Sequence, residues 1–367
     1  MTLGGESSPQ CLPTSSRRRG QATGRYAADG QARQCHASSL LVSANRVLVA
    51  WFAGAAEGQP DNQIWFSSAP ADDLSAPSWS RPVSLLGGSD DVAWWNPVLS
   101  TAPDGRLWLF AKRGNRISSW QTWVRTSDDN AVTWSDAFEL VPGDHGGRGP
   151  VKNQALVLQD GTWLAPCSQE SWADGAGGTW DCFVDVSTDD GATWTASPVP
   201  LDHGPLIGPG IIQPALWADG GRVYLLARSS EGSAYRSIST DAGRTWTPAA
   251  ATSLPNNNSG LDVARLPSGR VVCVHNPVAI PWGPRCPLVV SLSEDNGLNW
   301  RTVLTLEDCP RNALGGLTPG EEGVRASGEG EFSYPTVTVA GDELFVSYTW
   351  QRRAIVVAAV RLAEIEG

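Results

Sequence analysis

The chain has 367 residues, and 27 basic against 38 acidic side chains give it a formal charge of −11. A protein that neutralises phosphates needs a basic stripe, so this balance disfavours a nucleic-acid partner, and the one compact cluster, Arg17-Arg18-Arg19, reads as a solvated tail. With 41% hydrophobic and 18% charged residues a large core can form; no apolar run reaches the roughly 20 residues of a membrane span and no apolar signal region opens the chain, so it reads as soluble, with a cytoplasmic location favoured over a secreted one and no membrane partner expected.

Eighteen Trp, 39 Gly and 26 Pro stand against a single Met. Aromatic residues suit strands and Gly and Pro suit tight turns, which points to an all-β protein. Seven Cys with scattered spacing and no C-x-x-C make neither a zinc site nor a full disulfide framework, and read as reduced, buried thiols.

In chain order, residues 1–32 form a polar lead and residues 33–367 a single domain. Hairpin turns fall at Asn45, Asp104-Gly105, Asp160-Gly161, Asp219-Gly220, Ser268-Gly269 and Gly341-Asp342, flanked by strand-like runs such as ALVLQ and TWLAP. A second repeat runs in phase with them, the octapeptide S-x-D-x-G-x-x-W. It is complete at Ser187–Trp194, Ser239–Trp246 and Ser293–Trp300, has Ala131 for Gly at Ser127–Trp134, and is degenerate from Ser67 to Trp79. Asp folds back on its own backbone, Gly takes a left-handed conformation, and Trp plugs the turn against neighbouring strands. No box follows the sixth hairpin; the apolar strand AIVVAAV is placed to complete a ring beside the N-terminal segment. Six phased units of four strands predict a six-bladed β-propeller with four-stranded antiparallel blades, whose closure protects the sheet edges.

In such a ring the first strand of each blade lines the central channel and starts at one mouth. Counting back from the hairpins places His36, Asn96, Asn153, Gln213, Asp262 and Tyr334 at those starts. Second strands end at the same mouth near Glu57, Lys112, Gln169, Arg228, His275 and Trp350, and third strands leave it near Asp61, Tyr235 and Arg285. The boxes fall at the opposite face and are structural. Arg228, Arg285, Lys112 and Lys152 make a local basic site on an acidic protein, and guanidinium forks suit carboxylate or sulfate, so a small anionic ligand is expected. Trp94, Trp95, Trp282 and Trp350 offer faces for sugar rings. No metal or cofactor is called for: ligands are not clustered, and acidic turns such as Asp72-Asp73 and Asp128-Asp129 read as solvated rather than Ca²⁺-holding. Specificity is expected in loops such as GDHGGRGP and residues 310–330.

The segments AWFAGAAEGQPDNQIW, WWNPVL, GPVKNQALVL, LPNNNSGLD and EFSYPTVTV, together with the boxes, resemble the sialidase superfamily of BNR-repeat, or Asp-box, propellers from about residue 33 onward. In that family an arginine triad binds the substrate carboxylate, a Tyr paired with a Glu is the nucleophile, and an Asp on a loop is the acid/base. The resemblance makes Tyr334 the nucleophile candidate, Arg228 and Arg285 the second and third triad arginines, and Asp61 or Glu57 the acid/base. Two positions depart from the pattern. His36 stands where the first triad arginine belongs, and Gln213 where the Glu that deprotonates the Tyr belongs; a tyrosine without a carboxylate base is a poor nucleophile at neutral pH.

Three functions follow as expectations. The first is an exo-acting glycosidase on an acidic saccharide, with Tyr334 as nucleophile, Asp61 or Glu57 as acid/base, and Arg228, Arg285 and His36 on the carboxylate. Asn96, Lys152, Asn153, Asp262, His275 and Trp95 complete its binding surface. The second is a uronate lyase, in which arginines neutralise the carboxylate while His36, His275 or Tyr334 moves protons. The third is a propeller that binds acidic glycans without catalysis.

Overall fold

The computed structural model describes residues 18–21, 34–75, 78–88, 91–172, 178–308 and 330–367. The rest of the N-terminal lead, and the expected specificity loop at 310–330 apart from Gly330, lie outside the described residues. Among the described residues, 24 strands form six four-stranded antiparallel sheets, the blades of one propeller. Five blades take their strands in chain order, over residues 34–86, 94–139, 156–198, 211–255 and 262–307. The sixth joins Phe332–Ala340, Glu343–Trp350 and Ala354–Arg361 to an outer strand from the other end of the chain, Arg18–Gln21, in register from Arg18 with Ala359 to Gln21 with Val356. Arg18 and Arg19 therefore belong to a ladder rather than to a solvated tail.

Each expected hairpin turn joins the first two strands of a blade and uses left-handed backbone. Ala44 and Asn45 have φ of 46° and 58°, and Gly105, Gly161, Gly220, Gly269 and Gly341 are all positive as well. Such turns match the right-handed twist of the flanking strands.

The three complete boxes follow one hydrogen-bond scheme. In the third blade Ser187 Oγ donates to Asp189 Oδ1 (2.9 Å) and accepts from Gly191 N (2.9 Å), Thr193 N donates to Asp189 Oδ1 (2.9 Å), and Trp194 Nε1 donates to Gly191 O (3.0 Å). The same scheme recurs at Ser239–Trp246 and Ser293–Trp300. The hydroxyl and amide of Thr133 hold the Asp129 carboxyl at about 2, and those of Thr245 hold Asp241 there too. These carboxylates are committed to their own turns, and the carboxylate of Asp73 likewise takes Ser75 N and the Ser78 hydroxyl.

The core is six apolar layers, one between each pair of adjacent blades. Val98, Phe110 and Trp163 fill the layer between blades two and three, and Trp51, Phe345 and Val357 the layer between blades one and six. Each box tryptophan packs into the layer its blade shares with the preceding one: Trp79 with Trp51, Trp134 with Phe66, Trp194 with Trp163, Trp246 with Leu164, Trp300 with Trp217. Burying an indole of roughly 200 Å² contributes on the order of 5 kcal/mol before entropic costs. The sixth blade has no box. Its layer with the fifth is closed instead by Leu362 and Ile365 of a short helix, Leu362–Glu366, entered through Leu362 N donating to Asp342 O (2.8 Å).

Cys35, Cys167, Cys182 and Cys273 are free and buried. Cys286 is disulfide-bonded, with its partner outside the described residues, which corrects the expectation of reduced thiols throughout. No helix of the described residues is long and apolar enough to cross a membrane.

Candidate active site

At the mouth, four first strands carry a register shift: between His36 and Ser39, Trp95 and Val98, Ile212 and Ala215, and Ser333 and Thr336. Each bulge holds a left-handed residue, respectively Ala37, Asn96, Gln213 and Tyr334, with φ of 52°, 33°, 54° and 51°. In three of them the next residue is proline, which has no N–H for the ladder, so the strand bulges where pairing would fail. The bulges turn Asn96, Gln213 and Tyr334 into a single cavity of about 550 Å³. In the first blade the bulge residue is the small Ala37. His36 lies fully buried, its ring 4.2 Å from that of Tyr334 and its Nδ1 2.9 Å from Thr349 Oγ1.

Three guanidinium groups reach the cavity from blades four, five and six: Arg228, Arg285 and Arg352. Arg228 Nη1 donates to Tyr334 Oη (2.6 Å) and Gln213 Oε1 (2.9 Å), and its Nε donates to Asn258 Oδ1 (3.2 Å). Arg285 Nη1 and Arg352 Nε both donate to Glu331 Oε1 at 2.8 Å, and Ser333 Oγ donates to the same oxygen. Burial alone would raise the Glu331 carboxyl, but Arg352, Arg285 and Ser333 outweigh it and hold it below the usual range. Burial likewise works against the charge on Arg352, while Glu331 and Glu57 more than offset it. Arg352 Nη1 donates to Glu57 Oε2 at 2.6 Å.

Arg352 is the cation that sequence reasoning missed. Histidine was expected to complete the triad, yet His36 is held well below its usual range by burial and by Arg352, Arg285, Arg228 and Lys152, so it is neutral and does not line the cavity. Arg352 comes from the turn between the second and third strands of the sixth blade, where Gln351 and Arg352 are left-handed (φ 50° and 58°). The signal was there in QRRA, two residues beyond Trp350 at the mouth end of its strand. Glu331, one residue before the strand Phe332–Ala340, and Glu170, next to Gln169, were missed as well.

Of the expected site residues, Glu57, Trp95, Asn96, Gln213, Arg228, Arg285 and Tyr334 line the cavity, as does Trp282. The others do not. Asp61 is exposed on its loop and accepts from Ala55 N (2.8 Å), a contact that shapes the loop bearing Glu57. Lys152 is buried in the channel below, donating to Asn153 Oδ1 (2.7 Å), Leu261 O (3.1 Å) and Pro335 O (2.5 Å). Asn153 Nδ2 donates to Gln213 O (3.2 Å) and Pro214 O (3.0 Å), and Asp262 accepts from Val263 N and Val337 N (both 2.9 Å). These three pin carbonyls and amides of the bulged strands, because backbone groups released from the ladder must be satisfied in a dry channel. His275 is buried in the fifth blade between Pro255 O (3.2 Å) and Ser291 Oγ (3.0 Å), and burial lowers it to about 4. Lys112 is a loop anchor, caged by the carbonyls of Gly147, Arg148 and Gly149 within GDHGGRGP. Trp94 packs in the core beside Phe52, and Trp350 against the layer between blades five and six. With both histidines sealed away, the elimination reading loses two of its three proton carriers.

The family described as BNR repeat-like domain matches residues 45–346. The chain belongs to the BNR repeat-like domain family. No curated protein matches this BNR repeat-like chain in sequence. Among solved structures it is similar to the Hadza microbial sialidase Hz136, with 16% identity, a TM-score of 0.70, and 92% of this chain and 68% of that one covered. A Dyadobacter fermentans protein of unknown function has 13% identity and a TM-score of 0.68, over 95% of this chain and 100% of its own. Trypanosoma rangeli sialidase has 13% identity and a TM-score of 0.65, over 91% of this chain and 56% of its own. Likeness at such identities concerns the fold, and the fold is the sialidase-like six-bladed propeller.

Proposed function

We propose that this BNR repeat-like protein is an exo-acting glycoside hydrolase for a terminal sugar that bears a carboxylate. The observation that carries the reading is the convergence of Arg228, Arg285 and Arg352 with Tyr334 in one cavity. Guanidinium forks match a carboxylate bidentately, and an N–H from Arg228 aimed at Tyr334 Oη stabilises negative charge on that oxygen as it attacks. Gln213 shares the same Arg228 nitrogen; its amide oxygen orients the guanidinium and takes no proton. The channel beneath is packed with His36, Lys152 and Asp262, which suits entry of a chain end from above rather than passage of a polymer. A neighbour in fold, Trypanosoma rangeli sialidase, has been solved with sialic acid and with a covalent intermediate from 2,3-difluorosialic acid, so sialosides are the first substrates to test.

Incubation with 4-methylumbelliferyl sialoside, the matching glucuronide and uronate-terminated oligosaccharides is expected to yield free sugar. An unsaturated product absorbing in the near ultraviolet would instead mean elimination, and binding without any product a lectin-like role. Tyr334→Phe is expected to lower kcat at least roughly 100-fold, and Arg352→Met to raise KM about tenfold or more. Full turnover in both variants would refute the site.

A further inference from the structure

Three carboxyl groups line the cavity, and they are not equivalent. Glu331 is taken by Arg285, Arg352 and Ser333, and Glu57 is taken by Arg352. Glu170, near the mouth end of Trp163–Ser171 in the third blade, accepts no hydrogen bond and joins no ion pair among the described residues, although it faces the same space. Its strand neighbour in register is Trp180, whose ring lies under the Arg228 guanidinium at 5.9 Å.

The cavity has two unlike walls. Blades four to six supply the arginines and Tyr334, whereas blades one to three supply Trp95, Trp120, Trp172, Glu57 and Glu170. A substrate carboxylate held by the arginines sets the sugar over Tyr334. Displacement from that side sends the leaving oxygen away from Tyr334, toward the mouth and the wall of blades one to three. Resting on the hydrolase reading above, we infer that Glu170 is the proton donor to that leaving oxygen. With the Tyr334 phenol proton first given to solvent water and the oxygen held by the Arg228 N–H, Glu170 gives its proton to the glycosidic oxygen as the C–O bond breaks and the Tyr334 oxygen bonds to the anomeric carbon. The Glu170 carboxylate then takes a proton from a water whose oxygen bonds to that carbon, and Tyr334 leaves as phenolate. Burial raises the Glu170 carboxyl, with Arg228 working against it and Glu57 adding to it, the direction a proton donor needs.

The test uses the full chain and two leaving groups on the same acidic sugar, 4-nitrophenol and methanol. Departure of methanol needs protonation and departure of nitrophenolate hardly does. Glu170→Gln is expected to lower kcat/KM about 1000-fold on the methyl glycoside but less than about tenfold on the nitrophenyl one, where kcat and KM fall together because the second step has lost its base, and the basic limb of the pH–rate profile is gone. Glu170→Asp, which keeps a shortened carboxyl, is expected to retain that limb with a lower kcat, and serves if Glu170→Gln does not fold. Unchanged leaving-group dependence and pH profile in these variants would overturn the role, and the same signature in Glu57→Gln would transfer it to Glu57. A wild-type protein that cleaves none of these glycosides defeats the hydrolase reading itself, whereas cleavage by the wild type with an indifferent Glu170→Gln defeats the assignment alone.

Discussion

At the box face the left-handed pairs Asp190-Gly191, Ala242-Gly243 and Asn296-Gly297 repeat from blade to blade and are all followed by the same tryptophan. At the mouth the left-handed Ala37, Asn96, Gln213 and Tyr334 occupy four equivalent bulges, and no two of them are alike. Each left-handed non-glycine costs on the order of 1 kcal/mol wherever it occurs. At the boxes the gain is an indole seated in an interblade layer; at three of the four mouth bulges it is a polar side chain, Asn96, Gln213 or Tyr334, aimed into the cavity. Repetition marks the structural face of this ring, and departure from repetition marks its chemical face.

Three perturbations break or sharpen that contrast. The largest effect is expected between the faces, in the channel. Lys152→Met leaves three buried oxygens, Asn153 Oδ1, Leu261 O and Pro335 O, without their donor, and should cost about 3–5 kcal/mol in urea unfolding followed by tryptophan fluorescence. A loss under about 1 kcal/mol would show that the channel does not depend on its cation.

Acid should act next. Burial holds His275 at about 4, so between about pH 6.5 and 4 the unfolded chain takes up a proton that the folded chain refuses. Stability then falls as the pH drops through that window and levels off below it, by on the order of 3 kcal/mol for this one group. Asp262 works in the opposite sense, because burial raises its carboxyl and the folded state protonates first. Comparing pH–stability curves of wild type and His275→Gln isolates the histidine: the variant's curve should be flatter there, and superimposable curves would refute the assignment.

The smallest effect comes from the boxes. Gly191 has φ 86°, and a Cβ there would meet Trp163 at 2.9 Å and Trp108 at 3.0 Å, so Gly191→Ala should destabilise by about 2 kcal/mol. Ala131 already bears the left-handed strain at φ 65°, and Ala131→Gly should stabilise by up to about 1 kcal/mol. Thermal melts read both signs. Turnover per folded molecule should stay at the wild-type value in each, and a loss would mean that the box face is not purely structural.

The architecture was legible because its signals are local. Asp-Gly at a hairpin and Ser-Asp-Gly-Trp at a box state their backbone geometry within a few residues, and their phase counts the blades. The same phase brought Tyr334, Gln213, Asn96 and Arg228 to the mouth. What phase does not encode is depth along the channel: Lys152, Asn153 and Asp262 lie near strand starts as expected, but below the cavity, bound to the backbone it rests on. Nor does it reveal side chains on the mouth turns between second and third strands, and so Arg352 escaped notice while His36, one residue from a bulge, was assigned its place. Glu170 and Glu57 differ only in what neutralises them, and that is a fact of three dimensions.

The outer strand of the sixth blade has a further consequence for how this protein is made. Arg18–Gln21 pairs with a strand far away in sequence, Ala354–Arg361, with Gln21 standing opposite Val356. Closing a loop of nearly the whole chain costs roughly 5 kcal/mol in entropy, which only a ring already assembled can offset. The clasp therefore forms last. Until it does, the apolar strand Ala354–Arg361 presents an open edge to any other unfinished copy, and the interval before the clasp closes is when this fold is most exposed to misassembly.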